Sequence, residues 1–163
     1  MTIDSAQEEF SGVTPHLIVS DAAAAIDFYV AAFGADELTR QAGPDGRIWH
    51  AELLIAGGRM LLMDEFPDMG ARSPAALGGT PVMLHLYVPD TDAQYARAIE
   101  AGATAVMEPT DAFWGDRYAQ IDDPFGHRWS LATKLADLTA AETNQRGEEW
   151  LDAHGNPASP AQA

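Results

Sequence analysis

Short stretches of alternating apolar and polar residues, interrupted by helical spacing, set the first outline of this chain. Val13-Thr14-Pro15-His16-Leu17-Ile18-Val19 reads as a strand rich in β-branched residues, with Pro15 near its start, where a missing N–H costs no ladder bond. Ser20-Asp21 offers a helix cap, Ala25, Ile26, Tyr29 and Phe33 fall near helical spacing, and Gly34 supplies a stop, so a helix is predicted over 22–33. Three extended segments follow, Glu37 to Gln41, Arg47 to Ala56 and Arg59 to Asp64, separated by the turn signals Pro44-Asp45-Gly46 and Gly57-Gly58. In the second of them Ile48, His50, Glu52 and Leu54 alternate with Trp49, Ala51, Leu53 and Ile55, which predicts two opposite faces.

Residues 66–81 are loop-like, rich in Pro, Gly and Ala, and long enough to serve as a hinged lid rather than a plain connector. The pattern then restarts. Val82 to Val88 reads as a strand, Asp90 as a cap, Thr91 to Ala101 as a helix and Gly102 as its stop. Strands follow at Ala105–Glu108, Arg117–Asp122 and His127–Thr133, with Asp123-Pro124-Phe125-Gly126 as the last turn. Strand, helix and three strands therefore occur twice. His16-Leu17-x-Val19-x-Asp21 matches His85-Leu86-x-Val88-x-Asp90 at an offset of 85 − 16 = 69, while Gly34 and Gly102, like Gly58 and Gly126, stand 68 apart. The predicted fold is α+β, two βαβββ modules (12–65 and 82–134, joined by 66–81) forming one curved-sheet domain with a cavity. Residues 1–11 read as a flexible lead-in; 135–163 form a C-terminal extension, with a short helix over 135–144 and a frayed tail from Gly155.

Charge and composition narrow the partners. Among 163 residues, 9 Lys+Arg stand against 25 Asp+Glu, a formal charge of −16. The single lysine, Lys134, and the scattered arginines form no basic stripe, so neither nucleic acid nor an anionic membrane is an expected partner. No apolar run approaches the ~20 residues of a membrane span, and the polar, acidic N-terminus lacks the layout of a signal peptide. The absence of cysteine removes thiol and thiolate chemistry and agrees with a cytoplasmic protein. GxGxxG, P-loop and GxSxG motifs are also missing.

Three stretches carry a family likeness: TPHLIVSDAAAAIDFYVAAFGA at 14–35, GPDGRIWHAELLIAGGRMLLMDEFP at 43–67 and FWGDRYAQIDDPFGHRWSLAT at 113–133. With the duplicated βαβββ unit, they resemble the vicinal oxygen chelate superfamily of glyoxalases, bleomycin-resistance proteins, fosfomycin-resistance enzymes and extradiol dioxygenases, and within it the PhnB-like branch. The likeness spans about residues 12–134. It implies a homodimer and, in metal-using members, a four-ligand site. Laid onto this chain, the ligand positions fall on Thr14, Leu62, Met83 and Ser130, none of them a good ligand for a divalent metal.

The remaining polar and aromatic residues support two readings. His16 and His85 lie two residues beyond lost ligand positions, on the same strand faces, and His50 and Glu52 form a third cluster whose repeat counterparts are Tyr118 and Gln120. Trp114, in the Phe113-Trp114-Gly115-Asp116 loop, and Tyr87, in alternation with His85, supply aromatic surface. His16, His50, Glu52, His85, Trp114, Tyr118, Gln120, Arg128 and Ser130 are thus candidate ligand-binding residues around a cavity between the modules. The first reading is a binding protein without the usual metal, holding a small aromatic or antibiotic-like molecule. A strongly acidic protein with aromatic walls favours a cationic or planar ligand. The second is a lyase, isomerase or dioxygenase with Fe, Zn, Mn or Ni on a displaced site of His16, His85 and Glu52, with Glu52 moving a proton. His127, beside the last turn, reads as structural, and His154 belongs to the tail.

Overall fold

The computed structural model describes residues 12–155; the predicted lead-in 1–11 and residues 156–163 of the tail lie outside the described residues. The chain divides into a first compact unit ending at Gly79 and a second beginning at Thr80. The first holds β1 (His16–Val19), α1 (Ala22–Phe33), β2 (Asp36–Ala42), β3 (Ile48–Ile55) and β4 (Gly58–Asp64), then a 3-10 turn at Pro67–Met69 and the single-turn helix α2 (Pro74–Leu77). The second holds β5 (Met83–Tyr87), α3 (Thr91–Glu100), β6 (Thr104–Asp111), β7 (Asp116–Asp122), β8 (Arg128–Lys134) and α4 (Ala140–His154). Strand order is β1-β4-β3-β2 in one sheet and β5-β8-β7-β6 in the other. In both, the first and last strands pair in parallel and the rest pair antiparallel. The predicted α+β repeat of two βαβββ modules is the observed topology.

Each unit lays its helix on one face of its sheet. Helix α1 starts where the Asp21 carboxylate accepts from the Ala24 N–H (2.9 Å) and ends at Gly34, whose φ of +67° suits a residue without Cβ. Its buried residues Ala25, Ile26, Tyr29 and Phe33 meet a sheet face built from Leu17, Val19, Ala51, Leu53, Ile55, Met60 and Leu62. Cutting a core side chain such as Leu53, fully buried, to alanine costs about 2–5 kcal/mol. The other sheet face is left open, and there the polar candidates stand.

The helix entrances are tied to the last strands by side chains that occupy equivalent places in the repeat. In the first unit buried Asp64 accepts from Ala22 N–H (2.7 Å) through one oxygen and from Ile48 N–H (2.6 Å) through the other. Its counterpart Thr133 shares a hydrogen bond with Thr91 Oγ1 (2.8 Å) and donates to the Val88 carbonyl (2.9 Å).

Three expectations change. The ladder pairs Gln41 with His50 but Ala42 with Ile48, so Trp49 is the extra residue of a bulge. The alternation therefore breaks: Ile48 is buried, while half-exposed Trp49 packs on Phe66 (ring centroids 4.4 Å), whose ring also carries the Arg47 guanidinium at 4.5 Å. The 66–81 segment has structure of its own, because Phe66 bridges Ala71 and Ser73, buried, caps α2 while its N–H donates to Glu65 (3.1 Å). The C-terminal helix spans 140–154 instead of 135–144. Thr139 and Glu142 form a reciprocal capping box there, and the N–H groups of Leu135 and Ala136 are already committed to the Gly115 carbonyl (2.9 and 3.0 Å).

Candidate functional site

Register aligns the candidate residues in one row across each open face. In the first unit Glu52 pairs with Leu61 and Leu61 with His16; in the second Gln120 pairs with Ser130 and Ser130 with His85. The two rows are repeat-equivalent, and their chemistry differs.

The first unit carries a charged cluster. Glu52 accepts from His50 Nε2 (3.2 Å) and from the Arg59 guanidinium, and the His16 ring stands edge-on to His50 with centroids 6.4 Å apart. The His50 hydrogen bond, followed by that of Arg59, holds the Glu52 carboxyl below its ordinary range. Partial desolvation, and then the charge His50 can carry, lower His16 from its usual 6.5. A base lowered in this way accepts a proton less readily at neutral pH than its exposure suggests.

The second unit carries an aromatic cluster with one buried charge. His85 Nδ1 and Ser130 Oγ share a 2.7 Å hydrogen bond, which fixes the imidazole and leaves Nε2 for other partners. The His85 ring meets Tyr87 edge-on (4.7 Å) and lies nearly parallel to Tyr118 (6.3 Å), whose ring is met edge-on by Trp114 (5.3 Å). Gln120 Nε2 donates to the Tyr118 hydroxyl (2.9 Å), and that hydroxyl faces Met83 Sδ (3.5 Å). Beneath them the Asp116 carboxylate, only 5% exposed, accepts from Trp114 Nε1 (3.1 Å) and Tyr87 OH (3.3 Å) on the same oxygen. Arg117, the next residue, turns to the helix side, where it grips Asp92 of α3 (2.8 Å). Strand alternation thus places Asp116, Tyr118 and Gln120 together on the open face.

Loop 112–115 is held from outside. Gly115 has φ +95°, and a Cβ there would lie 3.0 Å from the Ala136 carbonyl oxygen and 3.1 Å from Leu138. Phe113 packs on Trp150 of α4 (6.0 Å), against a Gly147 that leaves room for its ring. The extension after Lys134 therefore buttresses the loop that presents Trp114.

Of the predicted residues, the structure gathers His85, Trp114, Tyr118, Gln120 and Ser130 in the second unit and His16, His50 and Glu52 in the first. Arg128 shares the face of Ser130, but its guanidinium is engaged by both oxygens of Asp122 (2.8 and 2.9 Å). The backbone N–H of His127 donates to Asp123 in the last turn (2.9 Å), and His154 stacks on Trp150. Sequence reasoning missed Asp116 and Arg59. Strand parity with Tyr118 marks the first, and the two-residue hairpin that sets Arg59 opposite Leu54 marks the second.

The sequence profile of the Glyoxalase/Bleomycin resistance protein/Dioxygenase superfamily matches residues 10–131. The chain belongs to that superfamily. An uncharacterized protein of Mycobacterium tuberculosis is 52% identical over 133 residues, covering 80% of this chain and 78% of the relative. Among solved structures, TioX from a Micromonospora species is 29% identical, covers 79% of this chain and all of its own, and superposes with a TM-score of 0.60. A glyoxalase/bleomycin resistance protein from a Streptomyces species is 32% identical over 74% of this chain and 98% of its own, with a TM-score of 0.54.

The superfamily's four-ligand metal position does not fit the residues present. Leu62 is fully buried on the helix side, and the residue facing His16 across the ladder is Leu61, so the position shifts by one and remains a leucine. Ser130 is buried and bound to His85, and Met83 offers a thioether. Among the described residues no group of three or more His, Asp or Glu side chains is arranged to hold a metal ion. No described helix is long and apolar enough to cross a membrane.

Proposed function

We propose that this superfamily member is a small-molecule binding protein that takes a planar aromatic, antibiotic-like ligand on the open face of the second unit. The observation that carries the reading is the His85–Tyr87–Tyr118–Trp114 cluster, which keeps its rings half-exposed while their polar tips are fixed by Ser130, Asp116 and Gln120. Rings ordered in this way lose little freedom on stacking against a flat ligand. The poverty of donors at the family's metal position supports binding without metal chemistry, and a Streptomyces relative named as a glyoxalase/bleomycin resistance protein leaves room for an antibiotic-like ligand. The FWGDRY and DPFGHRWSLAT stretches support a place in the PhnB-like branch.

A panel of uncharged planar aromatics titrated against untagged protein by calorimetry, with the Trp114 indole N–H resonance locating the contact in the wild-type chain, tests this reading. Trp114→Ala is expected to weaken a binding compound at least ten-fold. Binding unaffected by Trp114→Ala would move the site elsewhere. A competing enzyme reading has one supporting feature, the Glu52–His50–His16 chain on the first unit. Near-stoichiometric metal lost on His16→Ala/His85→Ala substitution would favour it.

A further inference from the structure

We infer that the ligand of this face carries a cationic nitrogen, with Asp116 as its counter-charge; the inference rests on the aromatic reading above. A carboxylate removed from water normally keeps a cation beside it. Asp116 is almost wholly buried, yet its side-chain partners are neutral: the indole N–H of Trp114 and the hydroxyl of Tyr87, both on Oδ2. The cation opposite it in the ladder, Lys134, makes its ion pair with Asp137 (Nζ–O 3.1 Å) and acts on Asp116 only through space, without a hydrogen bond to it. The groups that satisfy Asp116 are therefore the same rings that line the face. Both rings keep exposed surface, Tyr87 at 57% and Trp114 at 38%, with the charge hydrogen-bonded to their polar edges. Aromatic faces attract cations through their quadrupole, and a desolvated carboxylate at the edges of those rings deepens that attraction. A protonated or quaternised heteroaromatic satisfies both features at once: its plane stacks on the rings while its charge offsets Asp116.

The probes are 1-methylquinolinium and its uncharged carbon isostere 1-methylnaphthalene, titrated separately and followed at the Trp114 indole N–H. The wild-type chain is expected to bind the cation at least ten-fold more tightly than the isostere. Asp116→Asn, which keeps shape and one acceptor, is expected to abolish that preference, so that the ratio of the two affinities falls to within two-fold of one. Tyr87→Phe, which keeps the charge and removes one neutral donor, is expected to retain the preference. Should Asp116→Asn fail to fold, Lys134→Met decides, since loss of the nearby competing cation is expected to strengthen 1-methylquinolinium binding two-fold or more; no change would overturn the inference. Equal binding of both probes overturns the cation while leaving the aromatic site intact. Binding of neither overturns the aromatic reading and this inference with it.

Discussion

Replacing Gly115 with alanine tests whether the C-terminal extension holds the Trp114 loop. At φ +95° an L side chain pays about 1–2 kcal/mol in the backbone alone. The new Cβ would also lie 3.0 Å from the Ala136 carbonyl oxygen and 3.1–3.2 Å from the end of Leu138. That oxygen has little freedom, because Leu135 and Ala136 are both bonded through their N–H groups to the Gly115 carbonyl. Relieving the clash means giving up those two bonds, each worth about 0.5–1.5 kcal/mol. The sum is about 2–5 kcal/mol, or roughly 5–15 °C in Tm for a chain of this size. Gly46→Ala is the control: its φ is +82°, nothing lies within 4 Å of its Cβ, and only the backbone share of about 1–2 kcal/mol applies. Urea and thermal melts by circular dichroism supply the difference, and the Trp114 indole N–H resonance reports displacement of the loop. Leu138→Ala added to Gly115→Ala is expected to recover part of the loss, because the carbonyl contact remains. Equal costs for Gly115→Ala and Gly46→Ala, with the indole resonance unmoved, would refute the buttress.

Asp64→Ala strands two buried N–H groups, Ala22 and Ile48, and is expected to cost about 2–6 kcal/mol in urea melts. His16 titrates below its usual 6.5 because of desolvation and then His50, so the unfolded chain binds that proton more readily. Stability is therefore expected to fall as pH drops below 6.5 and to level off below the folded-state value; His16→Gln should flatten that slope, and His50→Asn should raise the His16 value in an NMR titration. Arg59→Met removes one of the donors that hold Glu52 down, so the carboxyl resonance of Glu52 is expected to titrate at higher pH. An unchanged titration would deny Arg59 that role.

The repeat was legible because each landmark is local chemistry. Asp21 and Asp90 cap their helices as expected, and α1 occupies Ala22–Phe33, the predicted span. Strand parity likewise brought His85, Tyr118 and Gln120 to one face before any coordinates. What parity misses is an inserted residue: the bulge at Trp49 sends Ile48 inward, and no pattern of apolar positions announces it. Asp116 escaped for a different reason. An aspartate at the end of a loop reads as solvated, and its burial comes from rings 29 residues away in Tyr87 and two away in Trp114. Helix α4 was misplaced because Leu135–Leu138 looks like the start of an apolar helical face, whereas backbone bonds to Gly115 claim its first two residues.

The parallel pairing of first and last strands has a consequence for how the chain acquires its structure. His16 meets Leu61 and His85 meets Ser130, so each unit closes a loop of 45 residues (61 − 16 and 130 − 85) before its central ladder is complete. Such closure is slow relative to hairpin formation, because the entropy of the long loop is lost before the contacts that reward it are made. The hairpins β3–β4 and β7–β8 should therefore form first and wait for β1 and β5. On the ribosome the first unit has every strand it needs once Asp64 has emerged, well before β8 is synthesised. Pulse-labelled hydrogen exchange during refolding would then show protection arriving in β4 and β8 on their hairpin sides early, and in β1 and β5 together with the completed faces late.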